Sequence, residues 1–345
     1  MANLFLLLSG EHENLPFSEV KAILDAEGCK YTFLEKLDQV LRFQADLDCF
    51  EALRVRAAFT RLCAIELFNC EARIGSIVGT IRSTDFQENL GAGESFVVRV
   101  KHVKEYGSDL DGMALERKLG ALMVGKNPDV KVSLKSPDKT FIGILTNERF
   151  VFGVKVAEFP AKPFVERRPR KKPFFHPSAM QAKLARCMVN LAQPKAGDLV
   201  LDPFCGTGTM LIEATLIGCR ALGLDVQRRM ARGTLRNMAH FNIEPQGVII
   251  ADAQSPPLTK VDCVVTDPPY GTSATTLKRT MKQIVEQMLI AAYQILGKGQ
   301  RICMAAPRKI DIRSIAAVSG YRPIESHFVY VHRSLTREIA VFEKV

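Results

Sequence analysis

Alternation of apolar and polar positions gives the chain a mixed first part and a regularly alternating second part. Phe5 and Leu7, with the apolar residues beside them, predict a buried strand. Residues 16–27 suit a helix closed by Gly28. Two short strands, a helix near 48–58 and a strand near 62–68 would complete a small β-α-β-β-α-β unit. Further on, Phe96, Val98 and Val100 alternate with Val97, Arg99 and Lys101, the two-residue period of a strand with one buried face. Leu115, Leu119 and Leu122 form a helical stripe. Val130, Val132 and Leu134 alternate again, and apolar strands are predicted at 141–145 and 152–156.

From residue 180 the period switches back and forth between helix and strand, the mark of a parallel sheet covered by helices. Met180, Leu184, Met188 and Leu191 form a helical stripe; residues 199–202 make a short apolar strand, followed by glycines and a helix to Ile217, with Gly218 as its cap. Strands follow at 220–225, 247–251, 263–266 and 301–305, and residues 326–331 and 339–342 read as a hairpin. The predicted class is α/β, with a C-terminal Rossmann-like sheet and an N-terminal α+β region.

The length of 345 residues allows two or three domains, and 47% hydrophobic with 24% charged residues excludes wholesale disorder. No apolar run reaches the ~18–20 residues of a membrane span, and no targeting segment precedes the first strand, which points to the cytoplasm and to no membrane partner. The nine cysteines contain no C-x-x-C pair, so neither a metal site nor a redox pair is expected, and a reducing compartment fits. The net charge of +10 favours an anionic partner such as nucleic acid. Its source is local: residues 160–190 hold eight positive charges against Glu166 alone, and five of the 17 prolines. Proline should keep 160–173 extended. Arg167, Arg168, Arg170, Lys171 and Lys172 therefore predict a phosphate-contacting strap, with a solvated linker as the plainer reading.

The sharpest motif is Leu201-Asp202-Pro203-Phe204-Cys205-Gly206-Thr207-Gly208-Thr209. A strand ends in a carboxylate and a glycine turn opens a helix, so a ligand can approach the backbone beyond the strand. No lysine follows the last glycine, which excludes a P-loop. Asp225 ends the next strand, where a carboxylate can accept from two ribose hydroxyls, and Asp252 ends the third, where it can hold an adenine amino group. Val265-Thr266-Asp267-Pro268-Pro269-Tyr270-Gly271 presents a carboxylate and an aromatic on a loop stiffened by two prolines. Pro173-Phe174-Phe175-His176-Pro177 sets His176 at a predicted helix start, whose N-terminus can face a ligand carboxylate.

Asp267-Pro268-Pro269-Tyr270 resembles the D/N-P-P-Y/F motif of amino-group methyltransferases, and the segment from about Pro173 onward resembles a class I S-adenosylmethionine-dependent methyltransferase. Residues 95–100, 115–120, 130–134 and 152–155 resemble a THUMP domain, an RNA-binding module. With P-F-F-H-P and the hairpin His332-Arg333-Ser334-Leu335-Thr336-Arg337, the order of motifs resembles the archaeal tRNA (guanine-10-N2)-methyltransferases. The resemblance implies a ferredoxin-like domain over 1–68, THUMP over 69–158, a basic linker over 159–176 and a methyltransferase domain over 177–345. It implies methylation of the exocyclic N2 of guanosine 10 in tRNA, once or twice, with S-adenosylmethionine as donor and Asp267, Pro268 and Tyr270 as catalytic residues. It implies cofactor contacts from His176, Pro177, Asp202, Phe204, Cys205, Gly206, Thr207, Gly208, Asp225, Val226, Asp252, Ala253 and Asp267. Arg333 and Arg337 would join the strap in binding tRNA. Members of the family work with a small zinc-binding activator protein or alone. Action on another tRNA guanine such as position 6, DNA adenine-N6 methylation, and RNA binding by a dead domain are the competing readings.

Overall fold

The computed structural model describes residues 1–269 and 280–345. The chain runs β1 (Ala2–Leu8), α1 (Leu15–Ala26), β2 (Tyr31–Leu37), β3 (Val40–Ala45), α2 (Cys49–Arg56), β4 (Thr60–Glu71), α3 (Ile74–Ser83), β5 (Ser95–His102), α4 (Gly112–Lys126), β6 (Lys131–Val132), β7 (Lys139–Thr146) and β8 (Arg149–Glu158). It continues with α5 (Lys162–Glu166), a 3₁₀ turn (Pro169–Lys171), α6 (Ala182–Leu191), β9 (Leu199–Asp202), α7 (Thr209–Thr215), β10 (Arg220–Leu224), α8 (Arg228–His240) and β11 (Gly247–Ile249). The last elements are β12 (Val261–Thr266), α9 (Met281–Ile295), β13 (Leu296–Pro307), α10 (Ile312–Val318), β14 (Tyr321–His332) and β15 (Leu335–Lys344).

Two compact units result. The first takes residues 1–13, 29–54 and 60–160 and holds one eight-stranded sheet in the order β2-β3-β1-β4-β8-β7-β5-β6. The expected division at 68/69 falls inside β4, whose long register with β8 carries the sheet through both expected halves. A core of Phe68, Phe96, Phe141, Phe150 and Phe152 fills one part of it, with the Phe141 and Phe152 rings stacked at 5.9 Å. Residues 130–134 form a two-residue strand only: Val130 is buried in the core, whereas Val132 and Leu134 face solvent. Helix α3 carried no assigned signal in the sequence.

The second unit comprises 14–28, 55–59 and 161–345. Its sheet runs β11-β10-β9-β12-β13-β15-β14; β11 to β13 are parallel, and β15 is antiparallel to both neighbours. Strand residues alternate between two cores: Val200, Cys263, Val265 and Cys303 face α1, α6 and α7, whereas Leu201, Leu222, Val264 and Ile302 face α9 and α10. Both faces being covered explains why these strands read as continuous apolar runs.

Helix α1 packs in this second unit through Leu15 and Ala22. Its Glu19 is fully buried and accepts from the backbone N–H groups of Ala58 (3.1 Å) and Phe59 (2.8 Å) and from Asn190 Nδ2 (2.9 Å). Asn190 and the Arg56 side chain bond in turn, and Arg56 Nη2 donates to the Pro194 carbonyl at 2.9 Å. Burial outweighs these donors and pushes the Glu19 carboxyl up to about 7. Glu19→Ala should lower stability by about 1–3 kcal/mol, the cost of leaving buried donors without an acceptor, read from the urea unfolding midpoint.

Candidate active site

In a parallel sheet the ligand crevice opens where neighbouring strands send their connections to opposite sides. Here that point lies between β9 and β12, adjacent in the sheet but separated in sequence by β10 and β11. Asp202 ends β9 and Asp267 follows β12, and both line one open cleft with Phe204, Cys205, Gly206, Thr207 and Thr209. Ser178, Ala179, Met180, Met210 and Met230 complete its wall.

The glycine turn is built for close approach. Gly206 and Gly208 have φ of +53° and +79°, a region side chains avoid. A Cβ on Gly208 would lie 2.7 Å from Thr234 Cγ2. Thr234 Oγ1 donates to the Gly206 carbonyl (2.8 Å), and Asn237 Nδ2 donates to the carbonyls of Thr207 and Phe174 (2.9 Å each). The Phe174 ring lies against Gly233, where a Cβ would meet it at 2.1 Å. Phe174 thus ties the P-F-F-H-P stretch to α8 and the turn. Helix α6 begins six residues after His176, so His176 stands at no helix start; its Nδ1 is 2.7 Å from Ser178 Oγ. The residues immediately after Pro177, rather than His176 and Pro177, line the cleft.

Asp225 follows β10 and accepts from Gly206 N (3.2 Å) and Gln227 N (2.8 Å); burial raises its carboxyl. Val226 beside it is exposed. Asp252, beyond β11, accepts from Gln254 N at 3.1 Å, and Ala253 is buried. Three successive strand ends therefore carry carboxylates, and the turn between them leaves backbone room. These residues fit an adenosine-bearing cofactor. The Cys205 thiol is pushed up by burial and stays protonated and inert.

Asp202 accepts from Thr266 Oγ1 (2.8 Å) and Phe204 N (3.1 Å), which holds the ends of β9 and β12 together. Asp267 Oδ2 lies 3.2 Å from Arg337 Nη2, and Oδ1 is buried with no hydrogen-bond partner among the described residues. Pro268 is buried next to it; Tyr270 lies outside the described residues. Burial pushes Asp267 up to about 7, against the pull of Arg337.

The basic segment differs from its expectation. It is helical in two short pieces, α5 and the 3₁₀ turn, rather than extended throughout, because proline also suits a first helical position. Its charges divide. Arg168, Arg170 and Lys171 are exposed, Lys171 pairing with Glu166 at 2.9 Å. Arg167 and Lys172 turn inward: Arg167 grips the fully buried Glu213 at 2.7 and 3.1 Å, and Lys172 Nζ donates to Thr209 Oγ1 at 2.7 Å. Arg186 reaches Glu213 from the other side at 2.9 Å. Burial brings the Lys172 ammonium down to about 8. Arg333 is exposed as expected of a surface cation, whereas Arg337 is buried beside Asp267. Glu213 within the apolar run Met210-Leu211-Ile212 was the sequence signal for a buried cation partner.

Residues 169–338 match the family described as UPF0020, RMKL-like, methyltransferase domain. The tRNA (guanine(10)-N2)-dimethyltransferase of Methanothermobacter thermautotrophicus is 36% identical, over 99% of each chain. The protein of the same name from Methanocaldococcus jannaschii is 31% identical, over 98% of this chain and 99% of its own. Among solved structures, TrmN from Thermus thermophilus superposes with a TM-score of 0.55 at 21% identity, over 99% of this chain and 100% of its own. SMU.472, a putative methyltransferase complexed with SAH, gives 0.57 at 14% identity, over 100% and 98%. The fold is that of these methyltransferases.

Asp202 provides a stability test. Its carboxyl is raised to about 7 by burial, with Asp267 and Asp225 adding to the rise. The folded chain therefore keeps a proton that the unfolded chain releases, and this contribution to stability is full at about pH 4 and lost as pH rises through about 7. Asp202→Asn removes it, so between about pH 4.5 and 7.5 the urea midpoint of the variant should fall less than that of the wild type.

Proposed function

The chain belongs to the tRNA (guanine(10)-N2)-dimethyltransferase family, and on that premise we propose that it methylates the exocyclic N2 of guanosine 10 in tRNA, twice in succession. S-adenosylmethionine is the methyl donor. When bound, it supplies a sulfonium methyl: the N2 lone pair forms the N–C bond as the S–C bond breaks, and S-adenosylhomocysteine leaves.

The observation that carries the reading is the buried Oδ1 of Asp267, without a partner among the described residues, at the lip of the cleft. An isolated acceptor there is costly unless a donor arrives with the ligand. An amine brings two hydrogens. Oδ1 accepts one and the Pro268 carbonyl the other, which aims the lone pair and gives the released proton a place at Oδ1. Positioning outweighs acid–base strength in such an in-line displacement. Asp225 takes the ribose hydroxyls and Asp252 the adenine amino group; the turn from Phe204 to Gly208, with Val226 and Ala253, encloses the rest. Tyr270, by its place after the two prolines, stacks on the base. A paired guanine leaves its helix at a cost of a few kcal/mol.

Residues 69–158 are the THUMP module and bind a part of the tRNA other than guanosine 10, following a ferredoxin-like segment over 1–68. The exposed Arg168, Arg170 and Lys171, with Arg333, contact phosphates. Nine free cysteines suit the cytoplasm, and among the described residues no helix is long and apolar enough to cross a membrane.

Labelled S-adenosylmethionine with tRNA, DNA or free nucleosides, followed by mapping of the product, tests the activity: label at N2 of guanosine 10 is expected, and label at position 6 or in DNA overturns it. Full turnover by the chain alone separates it from members that need a zinc-binding activator. Asp267→Ala should cut turnover by more than about tenfold, a barrier rise above ~1.4 kcal/mol, with cofactor and tRNA affinities within a few-fold. In the strap, Arg168 and Arg170 changed together to Gln should weaken tRNA binding for all sequences and flatten the slope of log K against log salt by about 0.7–0.9 per lost contact. Arg167→Gln should instead lower the urea midpoint, since it strips a partner from buried Glu213.

A further inference from the structure

Arg337 lies on β15 opposite Pro307 of β13 and Val329 of β14, at the end of the sheet where the cleft opens. Its neighbour Glu338 points to the other face, bonded to Ser326 Oγ at 2.6 Å and facing Arg313 at 3.3 Å. The Arg337 side chain, 11% exposed, passes to Asp267, where its Nη2 lies 3.2 Å from Oδ2. A two-pronged pair would have occupied both carboxylate oxygens. This one-pronged pair leaves Oδ1 buried and without a partner among the described residues.

We propose that Arg337 is the positioning residue of the methyl-transfer site, holding Asp267 ionised and turned so that Oδ1 alone meets the substrate amine. The inference rests on the reading of Asp267 as the amine's acceptor. A neutral carboxyl would carry a proton on one oxygen and offer a donor where the amine needs an acceptor. Burial favours that neutral form, and the Asp267 charge in turn raises Asp202 at the end of β9. Asp225, next along the sheet, acts on Asp202 in the same direction. Among the described residues, Arg337 is the cation that faces Asp267 from the strands around it. A guanidinium suits the task because its rigid planar fork meets a carboxylate oxygen in a fixed direction, which the flexible ammonium of a lysine, though also a cation, does not.

Single-turnover methylation of tRNA at saturating cofactor, followed from about pH 5.5 to 9, tests this with Arg337→Gln, Arg337→Lys, Asp267→Asn and the Arg337→Gln/Asp267→Asn pair. The wild type should lose activity on the acid side as Asp267 takes up its proton. In Arg337→Gln that limb should move up by about 1–3 pH units, the usual effect of removing an adjacent opposite charge. The rate at pH 7 should then fall about tenfold or more, and recover at high pH. Arg337→Lys should keep the limb close to its wild-type place with a lower plateau. Asp267→Asn should abolish the limb in either background. An unmoved limb in Arg337→Gln, with the limb still abolished by Asp267→Asn, overturns the role of Arg337 and leaves that of Asp267 standing. A limb that survives Asp267→Asn overturns the reading of Asp267 itself. Calorimetry with S-adenosylhomocysteine closes the structural route: affinity lost equally at every pH in both Arg337 variants makes Arg337 a packing residue and overturns the proposal.

Discussion

Strands β9 and β12 are hydrogen-bonded neighbours although β10 and β11 intervene in sequence. The first connection from β9 goes one way along the sheet and β12 returns on the other side, so a crevice forms between their carboxyl ends. Asp202 and Asp267 end up in that gap because each is the residue at which its strand stops. The Thr266–Asp202 hydrogen bond fixes the gap's width, and the glycine turn supplies its floor. The site is therefore a consequence of strand order, and the residues around it adjust to two acids placed where water is scarce.

Those adjustments are electrostatic. A buried carboxylate must find donors, find a cation or stay protonated. Asp202 has two donors, Asp225 has two backbone N–H groups, and Asp267 has Arg337 on one oxygen. The same rule operates behind the glycine turn. Glu213 is fully buried on α7 and draws Arg167 and Arg186 to it, while Lys172 bonds Thr209 at the start of the same helix. Charge that would otherwise repel within a basic segment is used to fasten that segment under the glycine turn. The remaining cations, Arg168, Arg170 and Lys171, stay in solvent, where an anionic backbone can reach them.

Much of this was legible in the chain. The two-residue period at Phe96–Val100 and the apolar run before Asp202 gave strands where strands stand, because each period reports a local backbone geometry with one or two covered faces. Gly206 and Gly208 were legible as a close-approach turn for a steric reason contained within a few residues. Asp202, Asp225 and Asp267 could be ordered along the sheet because each closes its own strand. The alternation from Val130 failed at Val132 and Leu134 for a matching reason: a period says which residues share a face, not how far along the chain that face stays covered.

What the sequence determined by itself was set by neighbours within a turn or a strand: the strands, the glycine turn, the acids that follow the strands, and the density of positive charge from 160 to 190. Tertiary structure alone decided which unit α1 joins, which of the clustered cations are buried, and that Arg337, 70 residues after Asp267, is its partner rather than a surface charge. Burial and ion pairing depend on what arrives from distant parts of the chain, and desolvation, which no local pattern records, then fixes the protonation and the role of each group.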